Sequence, residues 1–71
     1  MQFKLGQKVR QIEGMYNSLK GLIGTILTLP TLENNYYGVE FYVSWDNKPQ
    51  TWYFEERDLI TDSKFKYFYS I

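Results

Sequence analysis

At 71 residues, with eight basic and eight acidic side chains, the chain is short and neutral and accounts for a single domain over 1–71. It has neither cysteine nor histidine. That excludes disulfides, thiolate centres and imidazole-bound zinc, and removes the commonest general base and the best nucleophile from any catalytic reading.

A domain of this size buries only roughly 60% of its unfolded surface, and no covalent or metal staple is on offer. Stability must come from two Trp, seven Tyr and five Phe, large apolar side chains that favour strands. No stretch approaches the ~20 apolar residues of a membrane span, and the opening residues lack the basic region and apolar core of a signal peptide. The expectation is a soluble, unprocessed, cytoplasmic protein; the lack of cysteine agrees with a reducing compartment.

In chain order, Lys8–Glu13 reads as a first strand, with Val9 and Ile12 out of period-2 phase, so that a bulge or an early end is expected. Glu13–Lys20 is rich in turn formers and reads as a long loop. Gly21 and Gly24 then lead the chain through a tight turn into a second strand, Leu22–Leu29, which Pro30 stops. Thr31–Asn35 is a polar connection. Tyr36–Trp45 is the clearest strand: Tyr37, Val39, Phe41, Val43 and Trp45 form an apolar face expected in the core. Asp46–Gln50 reads as a hairpin turn and Thr51–Glu55 as the returning strand, with Trp52 and Phe54 inward. Glu56–Ile60 breaks the alternation and suggests one 3-10 turn, with Leu59 or Ile60 plugging the barrel end. After a turn at Thr61–Ser63, Lys64–Tyr69 alternates again and is expected to close the sheet as a last strand.

Five short strands, a long first loop, tight later hairpins and a single 3-10 turn before the last strand make an all-β, five-stranded SH3-like barrel. A five-stranded OB-fold is the main competitor. It usually needs a longer chain and an inserted helix, and no helical-period segment stands out here. Gly6-x-x-Val9-x-x-Ile12 followed by Lys20-Gly21-x-x-Gly24-x-Ile26 resembles the KOW motif of NusG-type transcription factors and some ribosomal proteins, with a longer loop between the halves. With Val43-Ser44-Trp45-Asp46-Asn47 and Asp58-Leu59, the chain also resembles the SH3-like domains of the mind-bomb type. The first resemblance implies contacts with RNA or RNA polymerase, the second peptide binding. On so widely reused a fold, either function is an analogy.

The chemistry of the side chains narrows the classes. Ser18, Ser44, Ser63 and Ser70 have no recognisable catalytic partner, and Glu55, Glu56, Asp58 and Asp62 lack calcium-loop spacing. The expectation is therefore no enzyme, no catalytic residue, no metal and no cofactor. Charge is uneven: residues 1–20 hold Lys4, Lys8, Arg10 and Lys20 against Glu13, whereas residues 33–62 hold seven acids against Lys48 and Arg57.

Two partner classes follow. Protein–protein contact is expected through outward aromatics at Tyr16, Tyr36, Tyr42, Tyr53 and Phe68, because tyrosine offers rigid contact area with a polar tip. The alternative is KOW-like RNA or DNA binding through Lys8, Arg10 and Lys20, where cations hold phosphates and nearby rings stack bases. A small barrel without catalytic groups is of the kind that acts by occupying a partner's surface. A phage-type inhibitor or regulator of a host enzyme is therefore a special case of the first class, with the acidic stretch pointing to a DNA-mimicking form of it. Both a monomer and a homodimer are compatible with the sequence, since an exposed final strand could pair with its own copy.

Overall fold

The alternation at Tyr37, Val39, Phe41 and Val43 sets the architecture. All four side chains are fully buried, whereas Glu40 and Tyr42 between them turn away from the core in strand β3 (Tyr37–Val43). The computed structural model describes residues 3–12, 16–19, 21–43, 45 and 47–69. Within them β1 (Lys8–Gln11), β2 (Gly24–Thr28), β3, β4 (Lys48–Phe54) and β5 (Leu59–Thr61) form one antiparallel sheet in the order β4-β3-β2-β1-β5. The last strand returns beside the first, pairing Val9 with Thr61 and Gln11 with Leu59. This is the connectivity of a five-stranded SH3-like barrel, with β4 and β5 as its edges.

Val9, Ile26, Val39, Phe41, Phe54 and Leu59 bring every strand into one core, which Phe3 and Leu19 help to close. The core depends on the glycine at position 24. Gly24 lies opposite Phe41 in the sheet, and a Cβ there would sit 2.5 Å from Val39 Cγ1 and 2.8 Å from Phe41 Cε1. The strand can cross the aromatic core only without a side chain. Gly21, at φ +83°, makes the turn that precedes it. A register shift between Ile26 and Thr28 then bends β2, which curls the sheet over its contents.

The 3-10 turn falls at Glu56–Asp58, directly before β5, and Leu59 is the residue that plugs the barrel end. β1 takes the early end and stops at Gln11; the next backbone N–H, at Ile12, donates to the Asp58 carbonyl at 2.9 Å. β2 and β3 are shorter than their expected spans.

Three expectations need correction. The hairpin after β3 is tighter than Asp46–Gln50, because β4 already begins at Lys48, with Pro49 opposite Tyr42. Proline is tolerated there because β4 is an edge strand, and Asn47 supplies the left-handed residue of the turn at φ 52°. Trp45, expected in the core, is 59% exposed, since β3 ends two residues before it and the inward alternation ends with it.

The third correction is the largest. Lys64–Tyr69 is not a strand: Asp62–Tyr69 forms a helix, α1, and the closing strand is the three-residue β5 before it. Asp62 provides a carboxylate in the first helical turn, where the helix dipole favours it. The same carboxylate accepts a 2.7 Å hydrogen bond from Arg10 Nε, and the Arg10 guanidinium lies 4.5 Å from the centre of the Phe65 ring. Arg10 Nη1 also donates to the Gly21 carbonyl at 3.0 Å. One side chain on β1 thus clamps the helix to the barrel.

Candidate binding cleft

Three segments far apart in sequence bring aromatic side chains to one place. The first is Tyr16, where the first loop enters its short 3-10 turn at Asn17–Leu19. Its ring is half-buried and meets Phe54 edge-on at 5.4 Å, with Trp52 6.3 Å away. The second is Tyr36, one residue before β3. The connection leading to it is held by its own polar side chains: Thr31 Oγ1 accepts from the Asn34 N–H at 3.0 Å, and Asn34 Oδ1 accepts from the Tyr36 N–H at 3.1 Å. The third is Tyr53 near the end of β4, opposite Gly38. A Cβ on Gly38 would run into Thr28 Oγ1, which accepts from the Gly38 N–H at 3.1 Å, and would also meet the Tyr53 ring at 3.3 Å, so the glycine leaves room for both.

Tyr16, Tyr36 and Tyr53, with Phe54, Glu55, Arg57 and Asp58, line a cleft of about 270 Å³. Tyr36 and Tyr53 keep 46% and 54% of their surface open, so the walls carry contact area that the fold itself does not use. On the other side of Glu55 and Arg57 lies a shallower depression of about 440 Å³, lined also by Pro30, Tyr37 and Glu56. There the ring of Tyr37 is buried, and its hydroxyl donates to Glu56 Oε1 at 3.1 Å. The aromatic cleft is the better candidate because its rings are open. Arg57 Nε and Glu55 Oε2 on the ridge between the two are 3.6 Å apart, with the Arg57 side chain 80% exposed. Such a pair is weak and easily rearranged.

Of the tyrosines expected to bind protein, Tyr16, Tyr36 and Tyr53 come together and Tyr42 does not. Tyr42 points outward at the hairpin end of β3, and its hydroxyl donates to the Asn47 carbonyl at 3.1 Å. It lies four residue steps along the strand from Gly38, the partner of Tyr53, a spacing of about 13 Å. The side chain of Phe68, on α1, lies outside the described residues.

Of the basic set, Lys8 is exposed and donates to Thr25 Oγ1 at 2.6 Å, whereas Arg10 is engaged by Asp62, Gly21 and Phe65. Lys20 lies outside the described residues. Glu55 and Asp58, which the sequence offers only as members of an acidic stretch without calcium-loop spacing, also border the cleft. Their position beside Phe54, which the alternation places inward, was the available sign that they border an aromatic site.

Among the described residues no group of acidic side chains is placed to hold a metal ion, and no helix is long and apolar enough to cross a membrane. Comparison with protein-family models, with curated proteins and with solved structures finds no match. The functional reading therefore rests on the residues alone.

Proposed function

We propose that this domain is a non-enzymatic binding module that acts through protein–protein contacts, and that it holds its partner in the cleft walled by Tyr16, Tyr36 and Tyr53. The observation that carries the reading is the convergence of these three tyrosines from the first loop, the β2–β3 connection and β4, with about half of two rings still open. Rings fixed in place lose little freedom on binding, and their hydroxyls can serve as hydrogen-bond partners at the edge of an apolar contact. Nucleic acid is less well served. The Arg10 guanidinium is already bound within the molecule, and the aromatic cleft carries two carboxylates that would repel phosphates.

The test is affinity capture from a nuclease-treated lysate by the wild-type domain, by Tyr36→Ala and by Lys8→Ala, at low and high salt. A protein held by the wild type and by Lys8→Ala, lost from the tyrosine variant and little affected by salt is the expected result. Salt-sensitive binding of added RNA or DNA that depends on Lys8 would overturn the proposal in favour of a phosphate-binding surface.

A further inference from the structure

We infer that the tyrosine cleft takes a cationic side chain, lysine or arginine, presented by a short extended segment of the partner. This rests on the protein-binding reading above and narrows it to a partner chemistry. The cleft has an aromatic wall of Tyr16, Tyr36, Tyr53 and Phe54 and, in the same lining, the carboxylates of Glu55 and Asp58. An apolar residue entering it would cover those carboxylates and leave Glu55 only its loose pair with Arg57, which is unfavourable. An acidic residue or a phosphate would bring a third negative group against them.

A lysine or arginine satisfies both parts of the lining. Its alkyl stem packs along the rings, while its charged head reaches the carboxylates and the ring faces. The cleft already shows the arrangement in outline, since Arg57 occupies its rim beside Glu55 at 3.6 Å. With 80% of its side chain exposed, Arg57 is held so loosely that an incoming cation can displace it. Arg57 is thus a competitor of the ligand, which has a consequence opposite to that of an anion site: removing its charge should tighten binding.

The experiment is selection of short random peptides on the folded domain, followed by affinity measurement by anisotropy. Retention of fold in each variant is checked by circular dichroism. The expected result is enrichment of lysine or arginine at one position. Affinity should fall about three- to tenfold when that residue is changed to alanine, or when the domain carries Glu55→Gln with Asp58→Asn. It should be tighter in Arg57→Gln, and weaker binding there would overturn the competitor role of Arg57.

Peptides that depend on Tyr36 and Tyr53 but show no basic preference would overturn this inference and leave the protein-binding reading standing. So would a preference for acidic residues that Arg57→Gln abolishes. Peptides indifferent to both tyrosines would overturn the cleft itself, and with it the reading beneath. An empty selection overturns the short-segment form of the inference, while the lysate capture decides separately whether a protein partner exists. Direct binding of single-stranded RNA that competes with a selected peptide on the wild type and is lost in Tyr36→Ala would assign the cleft to nucleic acid instead.

Discussion

Replacing Gly24 by alanine tests the packing on which the barrel depends. The added methyl would lie 2.5 Å from Val39 Cγ1 and 2.8 and 2.9 Å from two atoms of the Phe41 ring. Carbon atoms prefer about 3.5–4.0 Å, so the strands must part by roughly 1 Å. Both neighbours are fully buried and belong to the same strand, which leaves no flexible end to swing aside. Overpacking costs about 1–3 kcal/mol, three contacts below 3 Å place this site at about 2–3 kcal/mol, and the lower unfolded-state entropy of alanine returns up to about 1 kcal/mol.

The expected net loss for Gly24→Ala is about 1–2 kcal/mol, from a total of roughly 3.5–10 kcal/mol for a domain of this length. The midpoint of thermal unfolding should fall by about 4–16 °C. Urea and thermal unfolding followed by tryptophan fluorescence measure both quantities. Val39→Ala is the internal control, since it deletes the nearest clashing atom. The double variant should be more stable than the two single losses added together, by about 0.5–1.5 kcal/mol. Strict additivity, or a Gly24→Ala protein as stable as the wild type, would refute the close approach of β2 to β3 across the core.

Arg10→Ala should release α1 from the barrel at a cost of about 1–2 kcal/mol, because a partly buried ion pair, an exposed carbonyl hydrogen bond and a ring contact are lost together. Amide hydrogen exchange along Asp62–Tyr69 reads this directly, and unchanged protection would show that the clamp is not Arg10. Trp45→Ala, at a side chain 59% exposed, should change stability by no more than about 0.5 kcal/mol by urea unfolding. A loss as large as a core substitution, about 3 kcal/mol or more, would restore the inward placement that its alternation suggests.

The alternation was legible wherever one face of a strand is buried and the other is not. In β3 the apolar side chains occupy every second position with no competing period, and register follows from that pattern. Lys64–Tyr69 offered the same cue and misled. Lys64, Phe65, Lys66 and Tyr67 alternate as a strand would, and aromatics favour strands. What decided otherwise was tertiary: Asp62 and Phe65, three residues apart, fall on one face of a helix and both meet Arg10, a residue 52 positions from Asp62 in the chain. No local pattern contains that pairing. The cleft was half legible for the same reason. Tyrosines can be recognised as outward from strand phase, as Tyr53 and Tyr42 were, but which of them meet depends on loops. Thr31 and Asn34 deliver Tyr36 to the cleft through hydrogen bonds that no periodicity records.

The tyrosines of the cleft differ in how much the fold needs them, and that difference separates binding from stability. Tyr16 packs on Phe54 and Trp52, and Tyr53 sits by Gly38, where a ring covers backbone that glycine leaves bare. Substituting either one disturbs the sheet as well as the cleft, so lost capture by those variants has two explanations. Tyr36 is placed through its backbone N–H, which the Asn34 side chain receives whatever residue stands at 36. With its ring 46% exposed, Tyr36→Ala should leave the unfolding curve close to that of the wild type. A loss of partner in that single variant therefore reports on the surface and not on the scaffold. If capture survives Tyr36→Ala and is lost only with Tyr53, the open ring at 36 is simple covering and the contact lies further along β4.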